Sequence, residues 1–118
     1  MENRDIKKII SNYDNMISHS KEVIKELDKL EENFLSMDKS FGKYLSLLNE
    51  SVKGRKVNMI LNESYEVKNK CISESLSTLS KSRETVKKEL DGYIKNKDRL
   101  EKEYKKKVED NKKQWYLS

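Results

Sequence analysis

Between Ile6 and Leu48, apolar residues return at alternating steps of three and four positions for six heptads. Placing heptad position a at Ile6, Tyr13, Ser20, Leu27, Phe34, Phe41 and Leu48 puts d at Ile9, Met16, Val23, Leu30, Met37 and Tyr44. Twelve of these thirteen sites are apolar or aromatic, Ser20 being the exception. A repeat sustained this long keeps one stripe aligned along a helix that supercoils left-handedly with another helix. Proline is absent from all 118 residues, so nothing obliges such a helix to stop early. Asn3 followed by Asp5 offers an N-cap and an acid in the first turn. The spacing therefore predicts helix one from about Asn3 to about Ser51.

Row e widens the stripe, because it carries Ile10, Ile17, Ile24 and Leu45. A face built from a, d and e exceeds what a two-stranded seam covers and predicts contact with more than one neighbour. With a and d in the seam, Ile10, Ile17, Ile24 and Leu45 are expected beside it, meeting a partner. Trp115 and Tyr116 are further candidate partner anchors, since large rings fill pockets at small entropic cost. The alternative for these two is packing back against the start of helix one.

The heptad breaks across residues 49–56, and Gly54 is expected at C′ of helix one in the left-handed conformation. The turn is placed at about residues 52–56 and helix two at about 57–113. In helix two, d reads Tyr65, Ile72, Leu79, Val86, Tyr93, Leu100 and Lys107, while a reads Leu76, Arg83, Leu90, Lys97 and Tyr104. Arg83 and Lys97 weaken that seam, although long side chains can lay methylenes along it. Serines at 73, 75, 77, 80 and 82 mark the middle of helix two as its weaker part. The expected fold is all-α: one domain over residues 1–118, a long antiparallel helical hairpin turning near Gly54.

Charged residues make up 40% of the chain and hydrophobic residues 34%, too polar for a thick spherical core. A two-layer hairpin has little shielded interior, and a partner would supply the missing burial. The net charge of +5 divides unevenly: residues 1–54 hold nine Lys/Arg against ten Asp/Glu, and residues 55–118 hold seventeen against eleven. The basic stretch 95–113 has five of its nine cations offset by acids, which argues against nucleic acid or membrane as its partner. No segment reaches the roughly 20 apolar residues of a membrane span, and Met1–Asp5 does not open a signal peptide, so a cytoplasmic location is expected.

The parts of an active centre are missing from the sequence. His19 is the sole histidine and Cys71 the sole cysteine, so neither a zinc set nor a nucleophile–histidine arrangement can be assembled. Lys53-Gly54-Arg55 lacks the glycine spacing of a phosphate loop. The expectation is a protein without catalytic residues, metal, cofactor or small-molecule substrate. Its leading function is binding to a larger helical protein, with a homo-oligomeric coiled-coil scaffold as the rival and a basic-helix binder of nucleic acid or membrane third.

Two long helices meeting at a mid-chain glycine, in a proline-free chain of this size, resemble the WXG-type small helical proteins of type VII secretion. More narrowly, the pattern is similar to the small helical partner proteins of LXG toxins. That resemblance implies binding to the long helical N-terminal domain of a toxin, with a second small helical protein as a further partner and export alongside the toxin. Val52 stands where the WXG turn has tryptophan, two residues before Gly54. Four residues beyond Tyr65, Tyr93 and Tyr104 stand Asn69, Lys97 and Val108, so the Tyr-x-x-x-Asp/Glu export motif is not formed there. The resemblance therefore implies a helper that relies on its partner for export.

Overall fold

The computed structural model describes residues 3–117, and the side chains of residues 4–115. Two helices account for nearly all of it: α1 spans Asn3–Ser51 and α2 spans Arg55–Leu117. They form an antiparallel helical hairpin, and no strand occurs among the described residues. The side chain of Asn3, expected as an N-cap, lies outside the described residues.

The turn is tighter than expected and uses its glycine differently. Val52 N–H donates to Leu48 O at 2.9 Å, which carries the α1 ladder one residue past Ser51. Gly54 O accepts from Asn58 N–H at 3.0 Å, making Gly54 the N-cap of α2 rather than C′ of α1. Its φ of +157° lies outside the left-handed helical well, in a region that side chains with a Cβ disfavour. A Cβ built there meets only Val57 Cγ2 at 4.0 Å, so the obstacle is backbone conformation and not crowding. Gly54→Ala should therefore cost about 1–2 kcal/mol. Gly92→Ala, inside α2 with nothing within 4 Å of the new methyl, should gain about 1 kcal/mol from helix propensity. Urea denaturation of the two variants checks the opposite signs.

The hairpin is built as two compact units, each drawing on both helices: Lys25–Glu84, which contains the turn, and Met1–Ile24 with Thr85–Ser118. In the turn unit, Leu45, Leu61 and Leu79 are buried, with Leu27, Phe34, Leu48, Ile72 and Leu76 half-buried around them. In the other unit, Ile6, Leu100 and Ser20 are buried. Ile10, Tyr13, Ile17, Ile24, Leu90 and Tyr93 there are half-buried, and the rings of Tyr13 and Tyr93 meet at 6.3 Å.

These burials correct the expected seam of α1. Rows a and e carry the positions turned toward α2, Phe41 excepted, while row d, expected in the seam, is only half-buried at Ile9 and Val23 and is exposed at Met16, Leu30, Met37 and Tyr44. Since d and e are adjacent residues, the buried stripe is rotated by roughly 50° from the expected one at about 100° per residue. From Tyr65 to Tyr104 the seam of α2 follows its expected rows, with Leu79 and Leu100 buried, while Leu61, the most buried residue of α2, lies off those rows close to the turn.

Electrostatic matching is the physical reason for the rotation. Row e of α1 continues from Ile24 into Glu31 and Asp38 before returning to Leu45. Across the seam, Lys68 Nζ lies 2.7 Å from Asp38 Oδ1. Arg83 Nη2 donates to Glu31 Oε2, and Arg83 Nε is 2.9 Å from Asp28 Oδ1. That last contact is an ion pair lying off the N–H direction, since Nε makes no aligned hydrogen bond. In the other unit, Lys97 Nζ sits 2.5 Å from Asp14 Oδ1 and 3.4 Å from Glu101 Oε1. Facing row d toward α2 would place the cations of α2 against Leu30 and Met37, burying charge without a partner.

The Lys97 pKa is raised, first by its hydrogen bond to Asp14, with burial opposing and the charges of Asp14 and Glu101 adding. A cation whose folded pKa exceeds its unfolded value stabilises fully below the unfolded value and loses that contribution as pH rises through the folded one. The difference in unfolding midpoint between the parent and Lys97→Gln should stay constant from about pH 7 to pH 10 and shrink above about pH 10.5.

Candidate protein-docking groove

Row d emerges on one side of the turn unit, and a second apolar row emerges from α2 on the same side. Met37, Phe41 and Tyr44, at steps of four and three, form one wall. Ile60, Ser64, Val67 and Cys71, at steps of four, three and four, form the other. Between them runs an open groove of 770 Å³. The Lys68–Asp38 ion pair borders it, with the Lys68 side chain only 11% exposed.

The walls are wetter than a finished core permits. Met37, Tyr44, Ile60 and Val67 are 58–63% exposed and Phe41 is 43% exposed. Five large side chains at that exposure, lining one groove, leave its walls predominantly apolar toward solvent. A trough between two adjacent helices, walled by apolar residues at helical spacing, has the shape that accepts the apolar stripe of a third helix.

The residues singled out from the sequence lie elsewhere. Leu45 is 3% exposed inside the seam of the turn unit and has no surface to offer a partner. Ile10, Ile17 and Ile24 are half-buried in the seam of the other unit, so their expected placement beside the seam is corrected. Trp115 is 78% exposed near the end of α2. The side chain of Tyr116 lies outside the described residues. Gly54 is in the turn, as expected.

The heptad pattern places Met37, Phe41 and Tyr44 in the hairpin seam and does not include Ile60 and Val67. Their signal was present: Ile60 and Val67 are seven residues apart, as are Met37 and Tyr44. Substitution separates the two rows. Leu45→Ala should cost about 2–4 kcal/mol in denaturant unfolding, while Met37→Ala should change stability by less than about 0.5 kcal/mol.

His19 and Cys71 are both exposed. Among the described residues no group of three His, Cys, Asp or Glu side chains is placed to hold a metal ion. No helix of the described residues is long and apolar enough to cross a membrane. The raised pKa of Arg83 has Glu31 as its first cause, through the hydrogen bond, with burial opposing and the charges of Glu31 and Asp28 adding; the shift reports seam pairing. Comparison with protein-family models, with curated proteins and with solved structures finds no match.

Proposed function

We propose that this hairpin is a non-enzymatic helical adaptor, a targeting factor or chaperone that receives an amphipathic helix of a larger helical protein in the groove of its turn unit. The supporting observation is the pair of exposed apolar walls, Met37–Phe41–Tyr44 and Ile60–Val67, on the same side of the hairpin. One partner helix laid along the groove would cover both walls. The Lys68–Asp38 pair at the border is already satisfied and adds no unpaired charge to such an interface.

The resemblance to the helper proteins of LXG toxins makes the helical N-terminal domain of such a toxin the first client to test, with export occurring in its company. Tagged purification from the native host, with mass spectrometry of what co-elutes, tests the proposal. Near-stoichiometric recovery of one larger helical protein, abolished by Met37→Glu with Val67→Glu, is the expected result. Recovery of the chain alone as a defined oligomer would overturn the adaptor reading in favour of a self-assembling scaffold.

A further inference from the structure

The tip of the hairpin carries a second surface of different chemistry. Residues 51–62 hold three cations, Lys53, Arg55 and Lys56, and no acid. Glu50 and Glu63 flank the stretch. All three cations are exposed. The same end exposes apolar side chains on more than one side: Leu47, Met59 and Ile60 at 59–62%, and Val52 at 43%. A helix seated in the groove would cover Ile60, but Leu47 lies on a separate surface depression with Lys43 and Tyr65.

The cations are also poorly placed for the fold. Arg55 and Lys56 open α2, whose first turn contains no acid, where the helix dipole favours negative charge. Neutralisation by an external anionic surface would relieve that mismatch.

We propose that the turn end of the hairpin docks onto an anionic lipid surface, with Lys53, Arg55 and Lys56 at the headgroups and Leu47, Val52, Met59 and Ile60 entering the interfacial layer. The depth is suitable. Leu47 lies four residues before the end of α1 and Ile60 five residues after the start of α2. At about 1.5 Å per residue both fall within roughly 8 Å of the helix ends. Peripheral helices enter the headgroup and acyl boundary by about 5–10 Å. End-on entry covers apolar groups on all sides of the tip at once, which a single groove ligand does not. Each cation near an anionic bilayer adds to the attraction, and added salt weakens it.

Flotation of the full chain with phosphatidylcholine vesicles containing about 30% phosphatidylglycerol tests the surface. Expected is association at low salt, lost with added salt, and absent on pure phosphatidylcholine. Lys53→Glu with Arg55→Glu and Lys56→Glu should weaken it roughly a hundredfold, and Leu47→Ser with Val52→Ser and Met59→Ser should also release the protein. Circular dichroism of each variant should remain helical, because every altered residue is exposed. Met37→Glu with Val67→Glu should leave lipid binding intact, separating this surface from the groove. No flotation at low salt would overturn the proposal. So would binding that survives the tip variants but is lost with Lys105→Glu and Lys106→Glu, since the basic stretch of α2 would then be the lipid contact.

Discussion

Arg83→Glu should lower the melting temperature by on the order of 10 °C, and adding Glu31→Arg should restore most of the loss. The guanidinium lies in the seam with its side chain 19% exposed and bridges two acids of α1, Asp28 and Glu31. Reversal leaves three carboxylates together where two were paired with a cation, so like charges repel in a partly dehydrated site. Exchanging the charges across the seam rebuilds the pair with its sign reversed, leaving only Asp28 uncompensated. Arg83→Leu should be far milder. Asp28 and Glu31 are 58% and 38% exposed and can be solvated once the cation is gone. Melting followed by circular dichroism for the four chains forms a double-mutant cycle. A double variant as unstable as Arg83→Glu would show that the pair does not set the seam.

The same pairs explain which parts of the hairpin could be read in advance. In α2, one stripe outscored all others, so Leu79 and Leu100 could be placed at buried points from periodicity alone. In α1, rows d and e are nearly equal in apolar content through Ile24, and periodicity cannot choose between them. The choice is made by Glu31 and Asp38 on row e, which become favourable seam residues only because Arg83 and Lys68 stand opposite. Those contacts span 52 and 30 residues of sequence, beyond the reach of any single-helix pattern. Asp38 and Lys68 lie 16 and 14 residues from Gly54, but Glu31 and Arg83 lie 23 and 29 residues away, so counting outward from the turn does not fix both pairs. The groove was hidden by the same ambiguity: assigning row d to the seam removed Met37 and Tyr44 from the surface. Gly54 was recognisable as the turn residue, but whether it closed α1 or opened α2 depended on which carbonyl accepted the next hydrogen bond.

Met37→Glu combined with Tyr44→Glu should weaken binding of the partner by at least roughly a hundredfold while leaving helicity and melting temperature almost unchanged. Both side chains are about 60% exposed in the hairpin, so a carboxylate at either position stays hydrated in the unbound protein and costs little. In the complex the same carboxylates would be enclosed against an apolar stripe, where an unpaired charge is strongly unfavourable. Ile17→Glu with Ile24→Glu has the opposite signature. Those residues are half-buried in the seam, so charging them should first destabilise the hairpin, with any loss of binding following from unfolding. Measuring affinity for the recovered partner beside thermal melts for both double variants distinguishes the two rows. Loss of affinity confined to the Ile17 and Ile24 variant, with helicity retained, would place the partner on row e and remove the groove from the interface. Loss confined to the Met37 and Tyr44 variant ties binding to the row that the Lys68 and Arg83 pairs turn outward. The seam that holds the two helices together would then also determine which face of α1 meets the partner.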